Sequence, residues 1–202
     1  MKKILSLVLV AAIALMVCSC GVAKVPTVEE VKGSTSGNVY TNEYLSLKFT
    51  KPAEWEFYTE EQIEELSGNT QDMLAEGGYE MDDTSRQYYD MMAIDNSTGN
   101  NINIVYQIVG TTGKIDYNEV LDTNKEEIRQ LGEALGLNYT FSDYETVKLS
   151  GVEFHKFVAT ADFEGISLTQ AAYVAVERGV CISMAITIID DLDVRAVEAM
   201  FS

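Results

Sequence analysis

Apolar and polar positions alternate along most of this chain, and where the alternation breaks, the spacing turns helical. Val39 to Tyr40 and Leu45 to Phe49 are short alternating runs, ended by Pro52. "YYDMMAID" and "NINIVYQIV" flank the turn-rich "NSTGN" and predict a hairpin. Four longer runs follow late in the chain: "YTFSDYETVKL", "VEFHKFVATADF", "ISLTQAAYVAV" and "VCISMAITII". Ser150-Gly151, Glu164-Gly165 and Arg178-Gly179 join them, which predicts an antiparallel meander. In the last run Val180, Ile182, Met184, Ile186 and Ile188 share one face, which is expected to meet helices. Cys181, Ser183, Ala185 and Thr187 make a small, semi-polar opposite face.

Helices are announced by capping grammar. Thr59 is placed to cap a helix with Gln62 three residues on, Tyr58 and Ile63 forming a staple. "IDYNEV" repeats the arrangement with Ile115, Asp116 as cap, Glu119 and Val120, and "IDDLDV" with Ile189, Asp190 as cap, Asp193 and Val194. The middle helix carries Tyr117, Val120, Leu121, Ile128, Leu131 and Leu135 on one face and stops at Gly136. A shorter helix is expected from Gln71 to Glu76, ending at Gly77-Gly78. Helices packed on an antiparallel sheet give an α+β domain of order ββα(α)ββαββββα.

The N-terminus has a different pattern. Lys2 and Lys3 precede an apolar run from Ile4 to Val17, too short to remain as a membrane span. The end of the run, Val17-Cys18-Ser19-Cys20, resembles the lipobox of bacterial lipoproteins and makes Cys20 the lipidated residue. The thiolate of such a cysteine attacks the lipid donor, and small Ser19 and Gly21 let the peptidase close on the chain. The competing expectation is a secretory cut after Ala23, giving a soluble chain that starts at Lys24. Residues 1–19 are thus a signal peptide, 20–38 a lipidated cysteine and flexible tether ("GVAKVPTVEEVKGSTSGN"), and 39–202 one domain.

Charge changes the picture of partners. Without Lys2 and Lys3, 12 of the 14 basic residues face 32 acidic ones, a formal charge of 12 minus 32, or −20. That excludes nucleic acid and leaves the membrane, reached through the lipid on Cys20, together with an envelope protein or a small ligand. Cys181 is the one cysteine of the body, so no disulfide can brace it.

Candidate chemistry is sparse. His155, in "GVEFHKF", is the one histidine, and with Glu153 it defines an alternative reading as a surface hydrolase or other enzyme. No nucleophile elbow accompanies it, and Cys181 sits mid-strand, where a free cysteine packs as a small hydrophobe. Asp190, Asp191 and Asp193, like Asp82 and Asp83, are hard oxygen ligands for a weaker divalent-cation reading, but neither stretch has the glycine-turned calcium loop. Acids in a first helical turn explain the "DDLD" cluster, and Glu60 and Glu61, through the helix dipole. No metal or cofactor site and no catalytic set is therefore assigned. The expected function is a non-enzymatic, lipid-anchored extracytoplasmic binding or accessory module.

The element order, with a strand running into "KPAEW" and then a helix, resembles the PsbP-like α/β/α sandwich, also found in small bacterial lipoproteins. "VYTNEYLSLKFTKPAEWEF" and "YDMMAIDNSTGNNINIVY" resemble a group of anaerobe lipoproteins. PsbP supports a photosynthetic metal cluster, but none of its partner-binding residues is matched here, so the resemblance implies the scaffold alone.

Overall fold

In the computed structural model, residues 25–65, 87–109, 116–134, 136–163, 165–189 and 191–202 are described. Two antiparallel sheets are built from the alternating runs. The smaller is a meander, β1 (Ser34–Ser36), β2 (Val39–Asn42) and β3 (Leu47–Thr50), in that order. The larger has eight strands: β4 (Trp55–Phe57), β5 (Tyr88–Asp95), β6 (Asn101–Ile108), β7 (Thr140–Phe141), β8 (Glu145–Leu149), β9 (Val152–Phe163), β10 (Ile166–Glu177) and β11 (Val180–Ile188). Its order is β4-β5-β6-β11-β10-β9-β7, with β8 also paired to β9. The helices are α1 (Val28–Val31), α2 (Tyr117–Ala134) and α3 (Val194–Glu198), with a further helical stretch at residues 60–65.

The α+β class and the antiparallel sheet match the sequence pattern, as do the hairpin around "NSTGN" and the late meander. "YTFSDYETVKL" is split in two: Thr140 and Phe141 pair with Thr160 and Ala159, and Glu145 to Leu149 pair further back along β9. Ser142 makes the break. Its Oγ accepts the Val158 N–H at 2.9 Å and donates to Asp143 O at 2.7 Å.

Capping at Thr59 and Asp116 follows the sequence. Thr59 Oγ1 accepts the Gln62 N–H at 3.2 Å while Gln62 Oε1 accepts the Thr59 N–H at 2.8 Å, and Asp116 accepts the Asn118 N–H at 3.0 Å. The third cap is displaced: Asp193, not Asp190, caps α3, accepting the Arg195 N–H at 2.8 Å. Leu192, just outside that cap, packs against the core, which fixes the later start. The helix expected over Gln71 to Glu76, and Ile115 and Leu135, lie outside the described residues.

Of the stretch expected from composition to be a flexible tether, residues 25–38 are folded. Thr27 and Glu30 form a reciprocal capping box on α1, Val31 is fully buried, and β1 pairs with β2. A four-residue helix and a three-residue strand are too short to display a hydrophobic period, so this piece reads as linker.

The large sheet is covered on both faces. One face meets the small sheet, α1 and α3 in a continuous core that includes Tyr40, Phe49, Tyr106, Phe154, Tyr173 and Ile182. The apolar face of β11 belongs here, so α3 shares that cover with the small sheet. The semi-polar face of β11 takes α2 instead, because small Cys181 and Ala185 leave room for Leu121 and Ile128. The C-terminus closes the small sheet: Phe201 bridges to Phe49, their rings 5.1 Å apart, and the Ser202 N–H donates to Lys48 O at 3.1 Å.

Gly132 marks where α2 comes closest to its neighbours. A Cβ there would lie 2.6 Å from Cδ2 of Tyr139 and 3.2 Å from Leu137 O. Alanine is the better helix former by about 1 kcal/mol, yet Gly132→Ala is expected to destabilise by about 1–2 kcal/mol through overpacking. A rise in urea midpoint would refute this.

Buried phenols couple the fold to alkaline pH. Burial raises the ionisation of Tyr40 and Tyr173 well above the ordinary range, with Asp90 and Glu198 adding to it. Burial alone pushes the Cys181 thiol up to about 12. A folded pKa above the unfolded one stabilises fully below the unfolded value, about 8.5 for cysteine and 10 for tyrosine, and that stability is lost as pH rises towards the folded pKa. The urea midpoint is expected to hold from pH 7 to 8, to begin falling near 9 and to fall steeply above 10. Cys181→Ala should remove the first part of the fall; a midpoint still level at pH 11 would contradict the assignment.

Candidate functional site

The face of the large sheet on the side of α2 is a lattice set by strand register. Successive rows across β10, β11 and β6 are Gln170, Thr187 and Asn101; Ala172, Ala185 and Asn103; Val174, Ser183 and Val105; Val176, Cys181 and Gln107. All but half-buried Val176 are buried. From above, α2 presents Leu121, Asn124, Ile128 and Gly132, its buried positions at three- and four-residue spacing. Leu121 and Ile128 pack in one cluster with Phe157, Ala172, Val174, Cys181 and Ala185. Asn124 lies between them, so its amide enters the layer between helix and sheet.

Several of these buried groups have nothing to bond. Gln107 and Asn124 are 1% and 2% exposed, and both polar atoms of each amide lack a hydrogen-bond partner. Ser183 is 0% exposed and its Oγ is likewise unpartnered. Gln107 stands directly opposite Cys181, which puts it on the diagonal to Ser183, roughly 7–8 Å away between Cα atoms. Asn101 Oδ1 is also unsatisfied, though its Nδ2 donates to Gly99 O at 3.0 Å. Each orphaned group costs about 1–3 kcal/mol. Gln107, Asn124 and Ser183 are thus buried neutral donors and acceptors without a hydrogen-bond partner in the protein.

His155 and Cys181 lie at the rim of this layer. His155 stacks on Tyr117 at the start of α2, ring centroids 3.9 Å apart and planes at 13°. Burial, foremost, raises the Tyr117 phenol above its ordinary value. In the sheet His155 pairs with Val174, which pairs with Ser183. His155 and Ser183 are therefore two strands apart, about 10 Å at the usual strand spacing, with Val174 between. No histidine–nucleophile contact forms there. Glu153 is exposed on the same strand, and Cys181 is held protonated by its burial.

Two of the candidate acids serve structure. Asp193 caps α3, and Glu60 pairs with Lys32 at 2.7 Å, which holds its carboxyl below the ordinary range. Among the described residues no three histidine, cysteine or acidic side chains come together as metal ligands. Cys20, Asp82, Asp83 and Asp190 lie outside the described residues.

A concavity of about 230 Å³ opens where three turns meet, lined by Tyr44, Ser46, Ser150, Glu177 and Arg178 among others. Ser46, Ser150 and Arg178 all have positive φ, 57°, 50° and 49°. Ser150-Gly151 and Arg178-Gly179 are two-residue hairpin turns, which demand that conformation. The polar groups are engaged internally: Arg178 Nη1 donates to Tyr44 O at 3.0 Å, the Tyr44 hydroxyl donates to Arg178 O at 2.9 Å, and Ser150 Oγ accepts the Lys48 N–H at 3.0 Å. This end of the molecule is a joint between the sheets.

Sequence reasoning passed over Gln107 and Asn124. The signal was present: Asn124 is a polar residue in the apolar stripe between Leu121 and Ile128, and Gln107 falls on the inward phase of "NINIVYQIV".

No family model matches the chain, and no curated protein does. Among solved structures it is similar to the solution structure of cyanobacterial PsbP (CyanoP) from Synechocystis sp. PCC 6803, at 12% identity and a TM-score of 0.47. That match covers 86% of this chain and 87% of the other. The fold class stated above rests on the strand pairing.

Proposed function

We propose that this chain is a lipid-anchored extracytoplasmic binding or accessory module, held to the membrane through Cys20 and acting by binding rather than catalysis. The observation that carries the binding reading is the set of buried, unpartnered amides of Gln107 and Asn124. Native proteins keep such groups satisfied with protein, water or ligand, and the binding reading takes a ligand as the partner of these amides. The separation of His155 from Ser183 across Val174 supports binding over acyl transfer.

The anchor reading draws on the charged start, the apolar run and "VCSC". No described helix is long and apolar enough to cross a membrane. With α1 capped at Thr27, the reach from Cys20 to the fold is at most about 25 Å. The domain would therefore work close to the bilayer, where an envelope protein or a small ligand is its partner, its surplus of acid excluding nucleic acid.

Replacing Cys20 by alanine tests the anchor. The protein is expected to move from the detergent phase to the aqueous phase, with unchanged melting temperature, because Cys20 lies ahead of the capped start of the fold. Retention in the detergent phase of a Cys20→Ala chain that has lost its apolar leader would overturn the proposal.

A further inference from the structure

The geometry points to the concavity among the three turns as a binding site for a small zwitterion, a solute with a carboxylate and an ammonium on a short apolar frame, as in an amino acid. This goes beyond the reading above and rests neither on the anchor nor on the amides of Gln107 and Asn124. Two opposite charges line the concavity and are not paired with each other. Glu177 is half-buried at the end of β10, and Arg178, exposed, opens the turn that follows. Among the described residues neither takes part in an ion pair. The guanidinium is turned to Tyr44 instead, its Cζ 5.9 Å from the ring centre and its Nη1 donating to Tyr44 O at 3.0 Å. That contact orients the head of a flexible side chain and uses one N–H of a group that has several.

The turn itself does not call for arginine. Arg178 and Gly179 both have positive φ, 49° and 82°, the two-residue arrangement that favours asparagine, aspartate or glycine at its first place. A side chain of this size held in the left-handed region costs stability. Arginine thus brings to the rim of the concavity a charge that the hairpin does not require.

The size and charge of the occupant follow. At about 230 Å³, the concavity is below the roughly 300–1,000 Å³ of sites for drug-sized ligands, so the solute is small. Leu45 and Val152, both buried, add apolar lining. A guanidinium fits a carboxylate through parallel N–H···O bonds, and the Glu177 carboxylate accepts from an ammonium. A lone anion would meet Glu177 and the chain's surplus of acid, whereas a lone cation would find acids elsewhere on the surface. A solute with both charges and no net charge is the species that this pair of residues selects.

The test uses the full-length protein in detergent micelles, with L-alanine as the probe and acetate and methylammonium as its two separate halves at equal ionic strength. Nuclear magnetic resonance reads the backbone N–H signals of Gly151, Arg178 and Gly179. Saturable shifts with L-alanine, absent with either half at the same concentration, are the expected result. Arg178→Asn, which suits the turn, and Glu177→Gln, which keeps the side-chain shape, should each abolish the shifts and leave the melting temperature nearly unchanged. If Arg178→Asn does not fold, Glu177→Gln carries the comparison alone. Equal shifts with acetate, strengthened in Glu177→Gln, would make this a plain anion site and overturn the inference. Shifts that are missing, that grow without saturating, or that survive both substitutions would overturn it as well. The fractionation of Cys20→Ala is independent of this outcome, so failure at the concavity and failure of the anchor cannot be confused.

Discussion

Replacing Asp90 by alanine is expected to destabilise the protein by about 4 kcal/mol, because it orphans a buried network rather than deleting one contact. Asp90 is the extra residue at the irregularity in β5, where pairing with β6 shifts between Tyr89 and Met91. Its carboxylate accepts the Gly33 N–H at 2.8 Å, the Tyr40 hydroxyl at 2.6 Å and Asn42 Nδ2 at 2.8 Å. Tyr40 is fully buried and Asn42 nearly so, and neither can turn to water when the acceptor is removed. The approach is tight: a Cβ on Gly33 would lie 2.6 Å from the Tyr40 ring and 3.0 Å from Asp90 Oδ2. One carboxylate therefore seats the N-terminal segment and the small sheet on the large one. At roughly 2–4 °C per kcal/mol for a domain of this size, the melting temperature should fall by about 8–16 °C. Hydrogen exchange should accelerate first in residues 31–42. A loss below about 1 kcal/mol would mean that the small sheet docks by apolar packing alone.

The second large effect concerns the C-terminal helix. Lys156 is buried on β9, its Nζ 2.8 Å from Glu198 Oε1 on α3 and 3.4 Å from exposed Glu145. The Tyr173 hydroxyl donates to the same Glu198 oxygen at 2.8 Å. Glu198→Ala would leave a buried ammonium and a buried phenol with one partner fewer, at a cost of about 3 kcal/mol. Removing both charges is a different matter. Lys156→Met with Glu198→Leu should recover most of that loss, since a well-packed apolar pair often equals or exceeds a buried ion pair. Urea denaturation of the two single variants and the double variant gives the coupling directly. If the double variant were as unstable as the sum of the singles, the charges would not be acting as a pair.

The parts of this fold that were legible in the sequence are those with a period or a cap. The strands of the late meander display strict alternation or turn pairs such as Ser150-Gly151, and α2 has both an Asp116 cap and a stop at Gly136 with φ of 75°. What was hidden depends on contacts between residues far apart in the chain. Asp90 binds partners 48 to 57 positions away, and nothing in "YYDMM" distinguishes it from a solvent-facing acid. The folded start, α1 and β1, is too short to carry a pattern and is held by its capping box and by those same contacts. The candidate site was half legible. Asn124 interrupts an apolar helix stripe, but that its amide finds no partner in the protein follows only once the helix is packed on the sheet. His155 drew notice as the lone histidine, yet its ring is used for stacking on Tyr117.

The proposed lipid anchor on Cys20 is decided by the intact mass of the native protein extracted from membranes. The expected result is a chain beginning at Cys20 and heavier than its residues by a diacylglyceryl group. A chain beginning at Lys24, with no added mass, would contradict it.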